Sequence, residues 1–123
     1  MAVRILLADD SPFWREQIRG ILEQEPGLTV FQAADGAEAL RKSMWIRPDL
    51  IILDVCMPVL DGLSAAREFR RVLPGIPVLI VTVDKDTFLE AKARDAGVVA
   101  VFSKMECLEV CKFVKRRFVA KAA

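Results

Sequence analysis

Five polar residues stand where the surrounding pattern has no use for them. Asp9 and Asp10 close an apolar run that begins at Val3, and Asp54 closes the run Leu50–Leu53. Thr82 follows Pro77–Val81, and Lys104 lies just past Val98–Phe102. Brought together, three carboxylates could not all stay ionised cheaply; one would take up a proton unless a cation intervened. Lys104 alone supplies too little positive charge. Oxygen ligands without imidazole or thiolate suit Mg²⁺, which binds through one or two carboxylates, water and substrate phosphate. A divalent ion with Lys104 would balance a phosphoryl group arriving at Asp54. The chemistry expected of the set is therefore phosphoryl transfer to a carboxylate nucleophile, giving an aspartyl phosphate.

The absence of histidine narrows the field from the other side. With no His in 123 residues, a His general base, a Ser-His-Asp or Cys-His nucleophile, a His-ligated zinc and a phosphohistidine on this chain are excluded. A carboxylate nucleophile needs no such base. Adjacent Asp9-Asp10 does not match the D-x-D of aspartyl phosphatases, and neither G-x-x-x-x-G-K-[ST] nor G-x-G-x-x-G occurs. A net charge of +1 gives no overall push toward nucleic acid. The longest apolar stretches are too short to span a bilayer. No charged leader with an apolar core precedes Val3, and the three cysteines lack framework spacing; both lead to the expectation of a cytoplasmic protein.

To bring the five residues together, the elements that carry them must end at one place. Five apolar runs rich in Val, Ile and Leu read as strands: Val3–Ala8, Leu28–Ala33, Leu50–Leu53, Pro77–Val81 and Val98–Phe102. The central ones lack polar alternation, as strands covered on both faces do. Helical spacing fills the intervals. Ser11 caps the first helix and Pro12 starts it, with Trp14, Ile18, Ile21 and Leu22 as its core stripe and Pro26-Gly27 as its stop. The others are expected over Asp35–Ile46, Gly62–Leu73, Lys85–Ala96 and Met105–Ala120. Strict alternation argues an α/β fold, a doubly wound five-stranded parallel sheet with helices on both faces. With strand order 2-1-3-4-5, strands one, three, four and five are neighbours, and their carboxyl ends form the cleft where such sheets bind ligands.

Asp9-Asp10, the segment LDVCMPVLDG from Leu53 to Gly62 with its D-x-x-M-P-x-x-D-G pattern, Thr82, and Lys104 after AGVVAVFS together resemble the receiver domain of bacterial two-component response regulators. The resemblance covers essentially the whole chain, 1–123, and implies the flavodoxin-like (βα)5 fold. It implies Asp54 as phosphoacceptor, with Thr82 and Lys104 contacting the phosphoryl oxygens. Mg²⁺ would be held by Asp10 and Asp54, by the backbone carbonyl of Cys56, and through water by Asp9. The donor would be a phosphohistidine on a sensor histidine kinase or phosphotransfer protein. Such a domain is a switch that catalyses its own phosphorylation and dephosphorylation rather than a conventional enzyme. Its fourth helix, fifth strand and fifth helix would meet a second copy or a downstream effector, with no nucleic acid or membrane bound by the domain itself.

Three positions depart from the family pattern. Val101 stands where many receivers carry an aromatic ring, Met105 where proline usually follows the lysine, and Val83 where a smaller residue follows the threonine. These departures suggest the alternative, a receiver-like interaction module that works without phosphorylation; the intact five-residue set speaks against it. Val83 is expected to narrow access to Asp54, while Cys56 and Asp84 flank the site. The 104–105 bond is expected to be either trans or a strained cis. Cys107 and Cys111 share a helix face and read as packing residues. The basic run Lys112, Lys115, Arg116, Arg117 and Lys121 reads as a solvated face, Trp14 as a roof over the cleft, and Phe13 as an exposed ring suited to docking.

Overall fold

A computed structural model describes residues 2–119. The strands are β1 (Val3–Ala8), β2 (Leu28–Ala33), β3 (Leu50–Leu53), β4 (Val78–Thr82) and β5 (Ala100–Ser103). They form one parallel sheet, as the alternating pattern argues, in the order β2-β1-β3-β4-β5 that the resemblance implies. The helices are α1 (Pro12–Leu22), α2 (Gly36–Ile46), α3 (Gly62–Val72), α4 (Thr87–Asp95) and α5 (Cys107–Val114), the last widening into a π-helical turn over Lys115–Val119.

The sheet separates two apolar layers. Leu6, Ala8, Ile51, Leu53 and Ile80 point to one side and pack with Ala39, Ile46, Phe69 and Ala93 of α2, α3 and α4. Ile5, Leu7, Ile52, Leu79 and Val81 point to the other, against Ile18, Leu22, Val110 and Val114 of α1 and α5. The period-2 alternation of strand side chains produces this division, and covering both faces explains why β3 and β4 read as unbroken apolar runs. Full burial of each Leu or Ile contributes about 2 kcal/mol.

Element ends differ from expectation for local reasons. Pro77 lies outside β4, which instead takes in Thr82; proline has no N–H for the ladder, and its carbonyl accepts from Ile51. β5 starts at Ala100 rather than Val98, because Val98 N–H still closes the turn out of α4 by donating to Ala93 O. α1 ends at Leu22, before Pro26-Gly27. α4 begins after Asp86, whose carboxylate accepts from Leu89 N–H and so makes Lys85 part of the loop. α5 starts at Cys107, and the expected end at Ala120 lies outside the described residues, as does Lys121.

The outer edge of β2 is occupied by side chains. Val30 N–H donates to Glu23 Oε2 at 2.8 Å, and Lys42 Nζ donates to Gln32 O at 2.7 Å. At the other end of the sheet, Val101 packs into the α2–α4 layer, while Phe102 lies in the α1–α5 layer with its ring 6.1 Å from that of Phe113. Position 101 thus presents no ring to α4. Cys107 and Cys111 are partly buried against the same layer as Phe102, and Lys112, Lys115, Arg116 and Arg117 are exposed, both as expected.

Candidate metal and phosphoryl site

Backbone pairing carries the polar set to one end of the sheet. Asp9 N–H donates to Ala33 O, Asp54 N–H to Ala8 O, and Lys104 N–H to Thr82 O, at 3.1, 3.0 and 2.8 Å. Thr82 therefore sits at the end of its strand, Asp9, Asp54 and Lys104 one step past the end of theirs, and Asp10 two. Beyond β1 the chain turns at once into α1. Ser11 N–H donates to Asp9 Oδ1 at 2.8 Å, and Ser11 Oγ accepts from Trp14 N–H as helix cap. Arg15 adds a guanidinium bond of 2.6 Å to the Asp9 carbonyl.

Carboxylate oxygens of Asp9, Asp10 and Asp54 lie within 4.8 Å of one another. Asp9 is fully buried and Asp54 nearly so, whereas Asp10 is exposed at the mouth. Lys104 Nζ is 2.5 Å from Asp9 Oδ2 and 3.5 Å from Asp54 Oδ2. Trp14 lies over the ammonium, 4.7 Å from ring centroid to Nζ, and roofs the cleft as expected. Burial first, and then the neighbouring Asp9 charge, push the Asp54 carboxyl above its usual range against the opposing pull of Lys104. For Lys104 burial acts downward, but Asp9 and Asp54 outweigh it and hold the ammonium above its usual value.

This charge pattern is incomplete by one cation. Asp9 Oδ2 is buried, with the Lys104 ammonium as its charged partner. That one ammonium is shared with Asp54, so the cluster holds more carboxylate charge than Lys104 can offset. Three converging carboxylates and an all-oxygen donor set fit a hard divalent ion such as Mg²⁺.

The remaining expected residues take different places. Thr82 is buried at the end of β4, next to β3 and Asp54. Cys56 is an exposed free thiol two residues past Asp54, so its side chain is not drawn into the cluster. Val83 and Met105 are exposed, and Phe13 is 75% exposed on α1. No cis peptide bond occurs among the described residues, so the Lys104–Met105 bond is trans.

The loop after Asp54 is shaped by two close constraints. Gly62 sits so near β3 that a Cβ there would meet the Asp54 carbonyl oxygen at 2.0 Å. Leu60 N–H donates to Pro58 O at 2.7 Å around Val59, whose φ is 68°. That is a γ-turn centred on a β-branched residue in the left-handed region, which costs about 1–2 kcal/mol. Val59 is 82% exposed, so little packing is lost on truncation. Val59→Gly is expected to raise stability by about 1 kcal/mol in urea titration; an unchanged or lower midpoint would mean the strain is not there.

Residues 5–112 match the family model for the response regulator receiver domain. The chain belongs to that family. Among curated relatives, a protein-glutamate methylesterase/protein-glutamine glutaminase of Alkalilimnicola ehrlichii is 44% identical over 99 residues, spanning 79% of this chain and 25% of that protein. A second, from Geobacter metallireducens, is 39% identical over 107 residues, with 83% and 29% covered. The receiver thus spans between a quarter and a third of the length of these relatives. Among solved structures, the response regulator domain of Thermotoga maritima CheB superposes with a TM-score of 0.82 at 25% identity, covering 95% of this chain and 93% of that one. Vibrio cholerae chemotaxis protein CheY4 gives 0.83 at 30%, with 94% and 98% covered. Receiver domains of two-component systems signal by phosphorylation, generally with Mg²⁺ at an acidic pocket, and this receiver carries a cluster of three aspartates, Asp9, Asp10 and Asp54. No described helix is long and apolar enough to cross a membrane.

Two residues near the site escaped the sequence reading: Lys85 and Glu106. The signal for Glu106 is the spacing Ser103-x-x-Glu106, the pattern of a reciprocal helix cap.

Proposed function

We propose that this receiver, as one unit over 1–123, takes a phosphoryl group onto Asp54 from a phosphohistidine of a sensor histidine kinase or phosphotransfer protein. The observation that carries the reading is the buried Asp9–Asp54–Lys104 arrangement, deficient in positive charge, at the carboxyl ends of β1, β3 and β5. An Asp54 carboxylate oxygen bonds to phosphorus as the bond from phosphorus to the donor's imidazole nitrogen breaks, and the imidazole leaves with that electron pair. Lys104 keeps a positive charge where the phosphoryl oxygens arrive, and the Thr82 hydroxyl donates to one of them. Asp9, Asp10, Asp54 and the Cys56 carbonyl would hold Mg²⁺. When bound, that ion supplies the positive charge that offsets the carboxylates and the incoming phosphoryl group. The Trp14 ring limits access of water from above.

Phosphorylation then biases the β4–α4 loop through Thr82, and α4, β5 and α5 form the face read by a partner. With Val101 at the ring position, transmission runs without a rotating aromatic. The likeness to methylesterases supports an output of that class, controlled from this receiver.

The deciding experiment is incubation with Mg²⁺ and acetyl phosphate followed by intact-mass measurement. The parent should gain one phosphate and Asp54→Asn none. Because burial and the Asp9 charge raise the Asp54 pKa, its nucleophilic carboxylate disappears as pH falls through that value, so the rate should drop with acidification, and the drop should move to lower pH at saturating Mg²⁺. No mass gain in the parent, or equal gain in Asp54→Asn, would favour the phosphorylation-independent module.

A further inference from the structure

Lys104 needs something to aim it. Position 105 is methionine, so its peptide N–H is free to bond, and the turn around Lys104 is closed entirely by hydrogen bonds. Met105 N–H donates to Ser103 Oγ at 3.1 Å, and Glu106 N–H to Ser103 O at 2.8 Å. The Glu106 carboxylate reaches back through Oε1 to accept Ser103 N–H, also at 2.8 Å. A proline at 105 would remove the first of these donors. The same Glu106 oxygen lies 3.2 Å from Lys85 Nζ, whose ammonium also stands 3.9 Å from Glu90 of α4. Lys85 belongs to the loop between Thr82 and α4.

We propose that Glu106 is a positioning residue: its carboxylate closes the turn that aims Lys104 into the acidic cluster and, through Lys85, ties that turn to the loop that follows Thr82. The claim rests on the phosphorylation reading for its consequence, but not for its geometry. One carboxylate oxygen serves both the turn that carries Lys104 and the loop that follows Thr82, and Lys104 N–H is already bonded to Thr82 O between them. Displacing Lys104 from Asp9 and Asp54 would therefore follow from loosening a residue that touches neither.

The substitutions Glu106→Ala and Glu106→Gln separate the two roles. Alanine removes both contacts, whereas glutamine keeps an acceptor for Ser103 N–H and loses only the charge. With acetyl phosphate and Mg²⁺, Glu106→Ala should be phosphorylated on the order of tenfold more slowly, the scale of a misplaced catalytic group. Glu106→Gln should stay within about threefold of the parent, since a half-exposed ion pair is worth little. Raising salt should bring the ratio of the parent's rate to that of Glu106→Gln toward one, a response that a packing role would not give. Independently of phosphate, Glu106→Ala should speed amide exchange at Ser103 and change Trp14 emission as Lys104 leaves its ring. Parent-like Ser103 exchange and Trp14 emission in Glu106→Ala would overturn the proposal, whether or not the parent takes phosphate. If the parent takes none but Glu106→Ala shifts both signals, Glu106 positions Lys104 and the phosphorylation reading alone fails.

Discussion

Gly62→Ala is expected to destabilise this receiver by about 3 kcal/mol, the upper range for forcing extra volume into a packed site. The added Cβ would lie 2.0 Å from the Asp54 carbonyl oxygen, 2.8 Å from its carbon and 2.9 Å from the Val55 Cα. All three are backbone atoms, so no side chain can rotate away. The first turn of α3 must move off β3, and it moves Asp54 with it, because Gly62 N–H donates to Val55 O. Phosphate uptake should fall alongside stability. Gly20 provides the control. It lies on the exposed side of α1 with nothing near its missing Cβ, so Gly20→Ala should raise stability by up to about 1 kcal/mol. Urea titration of the two variants reads both signs, and equal midpoints for Gly62→Ala and the parent would refute the argument.

Lys104→Met should be at least as damaging when no divalent ion is present. Removing one member of a buried ion pair costs about 3–5 kcal/mol, because the other charge is left in a low-dielectric site. Here the residue left behind is fully buried Asp9, with Asp54 and Asp10 beside it. Three signatures identify the cause. Asp9→Asn in the same chain should recover much of the loss. Mg²⁺ should stabilise Lys104→Met more than it stabilises the parent. The pH dependence has a fixed sign. Asp54 is already raised above its unfolded pKa, and losing the lysine raises it further. The unfavourable charge is therefore relieved below that raised value and returns as pH climbs through it. Lys104→Met should recover stability in mild acid and lose it toward neutral pH. A variant whose deficit is independent of both pH and Mg²⁺ would show that Lys104 acts by packing alone.

The strands and the placing of Asp9, Asp10, Asp54 and Lys104 at their carboxyl ends were legible in the sequence, because burial on both faces leaves long apolar runs and any charge at their ends stands out; the strand order that brings them together came with the resemblance to receivers. Places where short-range hydrogen bonding competes with helical spacing were less legible. Lys85 fits the periodicity of α4, yet the Asp86 carboxylate caps that helix so that it starts two residues later. Val59 gives no sign of its left-handed backbone, since its residue type opposes it. Glu106 drew no expectation, and its meaning depends on Lys85, which lies 21 residues away in the chain.

The β2 border has a consequence of a different kind. An unprotected strand border is a template on which another chain can lay a further strand, the route by which parallel sheets lengthen into aggregates. In this receiver a carboxylate from the end of α1 and an ammonium from α2 already occupy a donor and an acceptor along that border. Growth there would first have to evict two charged groups from bonds they make within their own chain. Contacts with other proteins are thereby turned away from the β2 border, toward the helical surfaces and the loops around the acidic cleft.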